Sequence, residues 1–277
     1  MKTFFKEIFA NTIKLLYKIK LGQLMIDHIA TTSMSREISI IYKSKTYNFT
    51  IPNSLNRWRV ETFSTKEPET LEWIDGLEDN AVLWDIGANV GLYSIYAAKT
   101  KNSRVFSFEP SIFNLELLAR NIFINNLTSK ITIIPLPLTS KIEISNLNMT
   151  STSWGGAIST FGDVAIGHDG KLMTKKFEFS TLGLTIDSVV ELLNIPHPDY
   201  IKMDVDGIEH FILQGGLNIL KTVKSVIIEI NDDFVEQDKT ASKLLNASGL
   251  RLINKLHSNM VDDMVEFGRT YNQIWVR

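Results

Sequence analysis

From residue 81 onward, short continuous apolar runs alternate with longer segments of helical period. "AVLWDIG", "RVFSFEP" and "ITIIPLPL" read as strands, and "VGLYSIYAAKT" and "NLELLARNIFINN" as the helices between them. After residue 180 the rhythm resumes with a helix at Ile186–Leu193, the strand "YIKMDV", the helix "IEHFILQGGLNIL" and the strand "SVIIEI". A helix through Val235–Ala247 and a terminal strand pair, "LRLINKL" and "NQIWVR", complete the chain. Apolar strands separated by helices predict an α/β fold whose mostly parallel sheet is covered on both faces.

Two regions depart from this rhythm. Residues 139–180, including "NLNMTSTSWGGAISTFGDVAIGHDGK", are rich in Ser, Thr and Gly, show no sustained period, and predict an irregular insertion over a site. Trp154, followed by Gly155 and Gly156, reads there as a mobile cover with an aromatic platform. At the other end, Phe4, Phe5, Ile8, Phe9, Ile13, Leu16 and Ile19 recur at helical spacing among Lys2, Lys6, Lys14, Lys18 and Lys20. Lysines 6 and 14 interrupt the apolar run, so it is neither a signal-peptide core nor a membrane span. The pattern predicts a helix that self-associates, packs on the main domain, or lies on a membrane surface as a peripheral contact. "REISIIYKSKTYNFTIP" reads as two strands around a polar turn, and Glu67–Leu77 as a helix with Pro68 in its first turn. Residues 1–66 thus form an extension and residues 67–277 the main domain.

Composition narrows the classes. The chain has 277 residues, 44% hydrophobic and 22% charged, with a formal net charge of -2, so no electrostatic case exists for a nucleic-acid partner. The absence of cysteine removes disulfides, thiol catalysis and cysteine-ligated metals, and fits a cytoplasmic location.

Chemistry concentrates at the strand ends. "VLWDIGANVGLYSIYAA" places Gly87, Asn89 and Gly91 in a turn from strand to helix, where backbone approaches a ligand closely. Read against G-x-G-x-x-G from Gly87, the second and third positions hold Asn89 and Leu92, which disfavours a dinucleotide. Asp85 at the strand end suits a positive group such as an ammonium. Glu109 ends the next strand, where a carboxylate accepts both hydroxyls of a ribose. A ligand with amino-acid and ribose portions and little negative charge describes S-adenosylmethionine better than NAD.

"WDIGANVGLYSIYAA", "VFSFEPSIFNLELLARNI", "IPLPL" and "IKMDVDGIEHFILQGG" together resemble successive blocks of the FkbM-like S-adenosylmethionine-dependent methyltransferases, over about residues 67–230. The resemblance implies a Rossmann-like class I fold with seven strands in the order 3-2-1-4-5-7-6. It further implies cofactor contacts from Glu67, Asp85, Gly87, Ala88, Asn89, Gly91 and Pro110, with Asp85, Gly87, Asn89 and Gly91 at the methionine end. Glu109 would hold the ribose, and the backbone near Pro137 would approach the adenine. Asp206 stands where many members have Glu.

In that fold the strand "YIKMDV" lies beside "VLWD", which brings Asp204 and Asp206 next to the glycine turn. Lys202, two residues deeper in a covered strand, is expected to pair with Asp85 or Asp204, because an unpaired buried charge is strongly unfavourable. Methyl transfer to a hydroxyl releases a proton, and Asp204, Asp206, Glu209 and His210 are the candidate catalytic groups. Asp204, Glu229 and Asn231 form a candidate magnesium set of oxygen ligands. The expected activity is S-adenosylmethionine-dependent O-methylation of a hydroxyl on a glycan or small natural product. N-methylation of an amine, or a methyltransferase-like binding protein without catalysis, are the alternatives.

Overall fold

The computed structural model describes residues 2–257, 260 and 269–277. The chain opens with two helices rather than one, α1 (Lys2–Leu16) and α2 (Lys20–Met34), because the backbone turns at Tyr17–Ile19. Strands β1 (Glu37–Tyr42) and β2 (Lys45–Thr50) form the expected antiparallel hairpin, with Lys43 and Ser44 at positive φ in its turn. Next come α3 (Ser54–Glu61), which the apolar pattern did not announce, and α4 (Pro68–Asp75), which starts on Pro68.

The main sheet is built from β3 (Val82–Ile86), α5 (Leu92–Lys101), β4 (Arg104–Phe108), α6 (Ile112–Ile124) and β5 (Ile131–Ile134). Its second half adds α7 (Ile186–Leu193), β9 (Tyr200–Met203), α8 (Glu209–Gln214), β10 (Ser225–Asn231), α9 (Val235–Ala247), β11 (Arg251–Leu256) and β12 (Thr270–Val276). The spatial order is β5-β4-β3-β9-β10-β12-β11, the order 3-2-1-4-5-7-6 expected from sequence. Neighbouring strands through β10 run parallel and β12 runs antiparallel between β10 and β11. One apolar core lies on each face of this sheet, which is why its strands carry continuous apolar runs. The helix expected over residues 208–220 stops at Gln214. An added Cβ at Gly215 would lie 2.4 Å from the Thr139 carbonyl oxygen, so the chain passes there too closely for a side chain.

The insertion departs from expectation. Instead of remaining irregular, residues 139–180 supply β6 (Glu143–Met149), β7 (Ser159–Phe161) and most of β8 (Phe177–Gly183), a three-stranded antiparallel sheet in the order β7-β6-β8. Its inward residues Leu147, Met149 and Phe161 join the core beneath the sheet's carboxyl edge. Exposed Ile144 and Leu182 on the other positions blur the alternation that would have marked β6 and β8 as strands.

The hairpin is fastened to α5 and α6 by polar as well as aromatic contacts. Tyr42, Tyr47, Phe49 and Phe63 cluster with Tyr96 of α5 at centroid separations of 5.6–6.2 Å. Asn121 of α6 is buried between the two parts: its Oδ1 accepts the Thr50 N–H at 2.7 Å and its Nδ2 donates to the Val90 carbonyl at 2.8 Å. Truncation strands a buried donor and a buried acceptor. Asn121→Ala is therefore expected to lower the unfolding free energy by about 1–3 kcal/mol, measured by urea denaturation followed by far-UV circular dichroism.

Candidate active site

The carboxyl ends of β3, β4 and β9 converge on one place. Gly87 follows β3 at φ +82°, and a Cβ there would lie 1.8 Å from the Asp204 carbonyl oxygen, so the turn and the end of β9 touch backbone to backbone. The N–H groups of Gly87 and Ala88 both donate to the Phe108 carbonyl at 3.0 Å, which ties the turn to β4. Gly91 has a different reason to be glycine. It stands at the start of α5 with φ +85°, and its missing Cβ makes room for Leu118 of α6.

Lys202 lies opposite Asp85 in the parallel register of β3 and β9. Its Nζ sits 3.6 Å from Asp85 Oδ1 and 3.3 Å from Asp204 Oδ2, so the predicted ion pair exists with both carboxylates. Burial pushes the ammonium's proton affinity down, but Asp204 and Asp85 outweigh it and the pKa is raised. Asp85 also accepts the Ser94 hydroxyl at 2.5 Å and is wholly enclosed. It sits beneath the site, as the foundation for Lys202.

Glu109 is held at the tip of β4 by the N–H groups of Asn89 and Ser111, each at 2.8 Å. Burial raises its pKa to about 7, which those N–H groups offset only in part. Asp206, at φ +62°, accepts the Ile158 N–H at 2.7 Å; burial and then Asp204 raise its pKa.

Two adjoining cavities, of about 540 and about 1310 Å³, flank this arrangement. Glu109, Pro110 and Pro137 line the smaller; Glu67, Ala88 and Glu229 line the larger; Gly87, Asn89, Asp204 and Asp206 border both. The span Trp154–Ile158 separates them, and Ala157 borders each. Asn53 and Asn56 donate to the Trp154 carbonyl, Arg59 to that of Gly155, and Asn89 and Asn114 to that of Gly156. Trp154 borders neither cavity, and Trp58 of α3 is among the aromatic residues that border the larger one. The sequence reading missed Trp58 and Arg59 because it missed α3. Its signal was Asn53, whose side chain caps the helix by accepting the Asn56 N–H.

Lys66 and Tyr93 were also missed. Lys66 Nζ lies 2.5 Å from Glu67 Oε1, and the Tyr93 hydroxyl hydrogen-bonds to the same carboxylate. Burial would raise the Glu67 pKa, but Lys66 and then Lys202 bring it down to about 2. Burial, Asp204 and Glu67 hold Glu229 well above the usual carboxylate range.

Two of the four candidate catalytic groups are not brought to the cavities. Glu209 is buried at the start of α8, where it accepts the N–H groups of Val205 and Gly207 and the Gln237 amide, bracing the bend after β9. His210 is enclosed between Phe211 and Phe234, at ring separations of 4.0 and 5.3 Å, and burial lowers its pKa. The candidate magnesium set does not fit either. Asn231 Oδ1 is occupied by the Asp233 N–H, and no group of three His, Asp or Glu among the described residues is arranged to hold a metal. The ammonium groups of Lys66 and Lys202 already supply positive charge beside Glu67, Asp204 and Glu229.

The methyltransferase FkbM domain matches residues 85–268. The chain belongs to the FkbM methyltransferase family. Its glycine turn, Glu109 and the acidic end of β9 all fall within the matched span. This methyltransferase is similar to the hexuronic acid methyltransferase AglP of Haloferax volcanii, with 28% identity over 81% of this chain and 85% of that protein. Among solved structures, a precorrin-6y C5,15-methyltransferase from Geobacter metallireducens aligns at 14% identity and TM-score 0.43, covering 76% of this chain and 86% of that one. TYW2 of P. horikoshii, solved in complex with MeSAdo, aligns at 9% identity and TM-score 0.46, covering 86% of this chain and 69% of that one. Likenesses this distant bear on neither substrate nor site.

Removing Lys202 would leave Asp85 and Asp204 facing each other in the sheet. Lys202→Met is expected to cost about 3–5 kcal/mol of folding stability, read from the guanidinium midpoint. A loss below about 1 kcal/mol would show that the pair does not hold the strands together.

Proposed function

We propose that this methyltransferase moves a methyl group from S-adenosylmethionine to a hydroxyl oxygen on a glycan or small natural product. The observation that carries the reading is the Glu109 carboxylate, held by the Asn89 N–H of the glycine turn and bordered by a cavity. The buried Oδ1 of Asn89, which borders both cavities, has no hydrogen-bond donor among the described residues, which suits a ligand bringing an ammonium or hydroxyls. When bound, S-adenosylmethionine supplies a methyl group on a positively charged sulfur. Glu109 would accept the ribose hydroxyls, and Pro110 and Pro137 would border the adenosine end. Glu67, Gly87 and Ala88 would border the amino-acid end.

Asp206 is the stronger candidate for holding the acceptor's proton. Its proton affinity is raised by burial and by Asp204, whereas Asp204 is itself engaged by Lys202. Asp204 then orients the acceptor at the junction of the two cavities. The glycan acceptor is supported by the relative that acts on a hexuronic acid and by Trp58, an aromatic wall against which a sugar ring can pack. The same reading takes residues 67–277 as the methyltransferase domain and residues 1–66 as its extension.

Methyl incorporation from labelled S-adenosylmethionine into hexose and hexuronic acid acceptors tests the reaction. An alkali-stable ether product is expected; an alkali-labile ester would put the methyl on a carboxylate and overturn the hydroxyl assignment. Asp206→Asn, which keeps a side-chain oxygen for the Ile158 N–H, is expected to lower kcat by about 10²–10⁴ while the cofactor Kd stays within about threefold. Glu109 gives a pH signature. Its folded pKa of about 7 lies above the ordinary carboxylate value, so the ionised form that accepts ribose hydroxyls is lost as pH falls through 7. Calorimetry should show cofactor affinity falling by up to about tenfold per pH unit below 7, and Glu109→Gln should bind more weakly without that dependence. No binding at about millimolar S-adenosylmethionine would sink the enzyme reading.

A further inference from the structure

Helices α1 and α2 are joined by a tight bend at Tyr17–Ile19. The bend is close: an added Cβ at Gly22 would lie 2.1 Å from the Leu16 carbonyl oxygen. The Gln23 side-chain amide donates to the Tyr17 carbonyl at 2.7 Å across the turn. At its far end the pair joins the body through the Ser33 hydroxyl, which donates to the Pro52 carbonyl at 3.1 Å. The apolar residues do not pack on the main domain as one sequence expectation had it. Phe9, Leu15, Leu21, Leu24 and Ile29 are each 62–68% exposed. So many exposed large apolar side chains in one part of the chain mark an interaction surface.

Charge decides between occupants. Residues 2–20 carry Lys2, Lys6, Lys14, Lys18 and Lys20 against the single acid Glu7. The rest of the chain carries 24 basic and 30 acidic residues, so positive charge is concentrated where the apolar side chains are exposed. A second copy docking through the same face would set lysines against lysines. An anionic lipid surface accepts both features at once, apolar side chains at the acyl boundary and lysines among the headgroups. No helix among the described residues is long and apolar enough to cross a membrane, so the contact is peripheral.

We propose that α1 and α2 form an amphipathic helix pair that docks this methyltransferase onto an anionic lipid surface. Ser33 of α2 is hydrogen-bonded to Pro52, two residues before α3, which contributes Trp58 and Arg59 to the larger cavity, so docking and acceptor entry involve neighbouring elements.

The test is co-sedimentation of the full chain with phosphatidylcholine vesicles, and with vesicles containing one-quarter phosphatidylglycerol, at low and high salt. Binding is expected to the anionic vesicles only and to weaken at high salt. Reversing three exposed lysines together (Lys14→Glu, Lys18→Glu and Lys20→Glu) is expected to weaken it roughly hundredfold, at about fivefold per lysine. Leu15→Glu with Leu24→Glu is expected to weaken it at least about tenfold by removing the apolar component. Because all these side chains are exposed, unchanged thermal unfolding midpoints verify that the variants fold. Equal binding to both vesicle types, or variants that bind as the parent does, would overturn the proposal. So would a dimer in sedimentation velocity, formed without lipid and lost in the apolar variant, which would assign the face to a second copy.

Discussion

The site depends on one buried cation. Lys202 carries its ammonium into a strand covered on both faces, and the parallel register of β3 and β9 sets Asp85 directly opposite it. Two carboxylates around one ammonium satisfy a charge that could not otherwise remain there, and they leave the cluster one negative charge in excess. Asp85 is sealed below and Asp204 is left partly exposed above, so that excess is presented upward, between the two cavities. A fixed network of this kind keeps the strand ends from relaxing when a charged ligand arrives, the condition under which positioning contributes to catalysis.

The glycine turn depends on the same arrangement. Gly87 lets β3 and β9 approach until backbone touches backbone, while the Gly87 and Ala88 N–H groups tie the turn to β4, where the Asn89 N–H meets Glu109. The insertion completes the site from the other side. Its span Trp154–Ile158 is held by side chains from the extension, the glycine turn, α6 and the end of β9, so four otherwise separate parts of the chain meet on five residues. The site is therefore an assembly at the carboxyl edge, and Glu209, which looked chemical in the sequence, serves it by holding the bend after β9.

Much of this was legible before any coordinates. Continuous apolar runs exposed the strands of the main sheet, since burial on both faces removes the need for polar positions. Asp85, Lys202 and Asp204 could be linked because their types and depths leave few ways to neutralise a buried lysine. The strands of the insertion were hidden because only some of their positions face a core, and α3 because its eight residues are short and largely polar. Lys66, Tyr93 and Trp58 carry no local signal of their purpose; an ordinary surface helix or loop would use the same letters.

Sequence alone determined the layers, the strand order through family resemblance, and the charges gathered at the ends of β3, β4 and β9, because periodicity and residue type are local properties. Tertiary structure alone decided which of those charges meet. It turned Glu209 and His210 inward, away from the cavities, committed Asn231 to its own backbone, and brought Lys66 and Trp58 from the extension's border to the site. The reason is geometric: hydrogen-bond partners more than a hundred residues apart, such as Asn53 and the Trp154 carbonyl, are selected by how layers pack, and no local pattern encodes that distance.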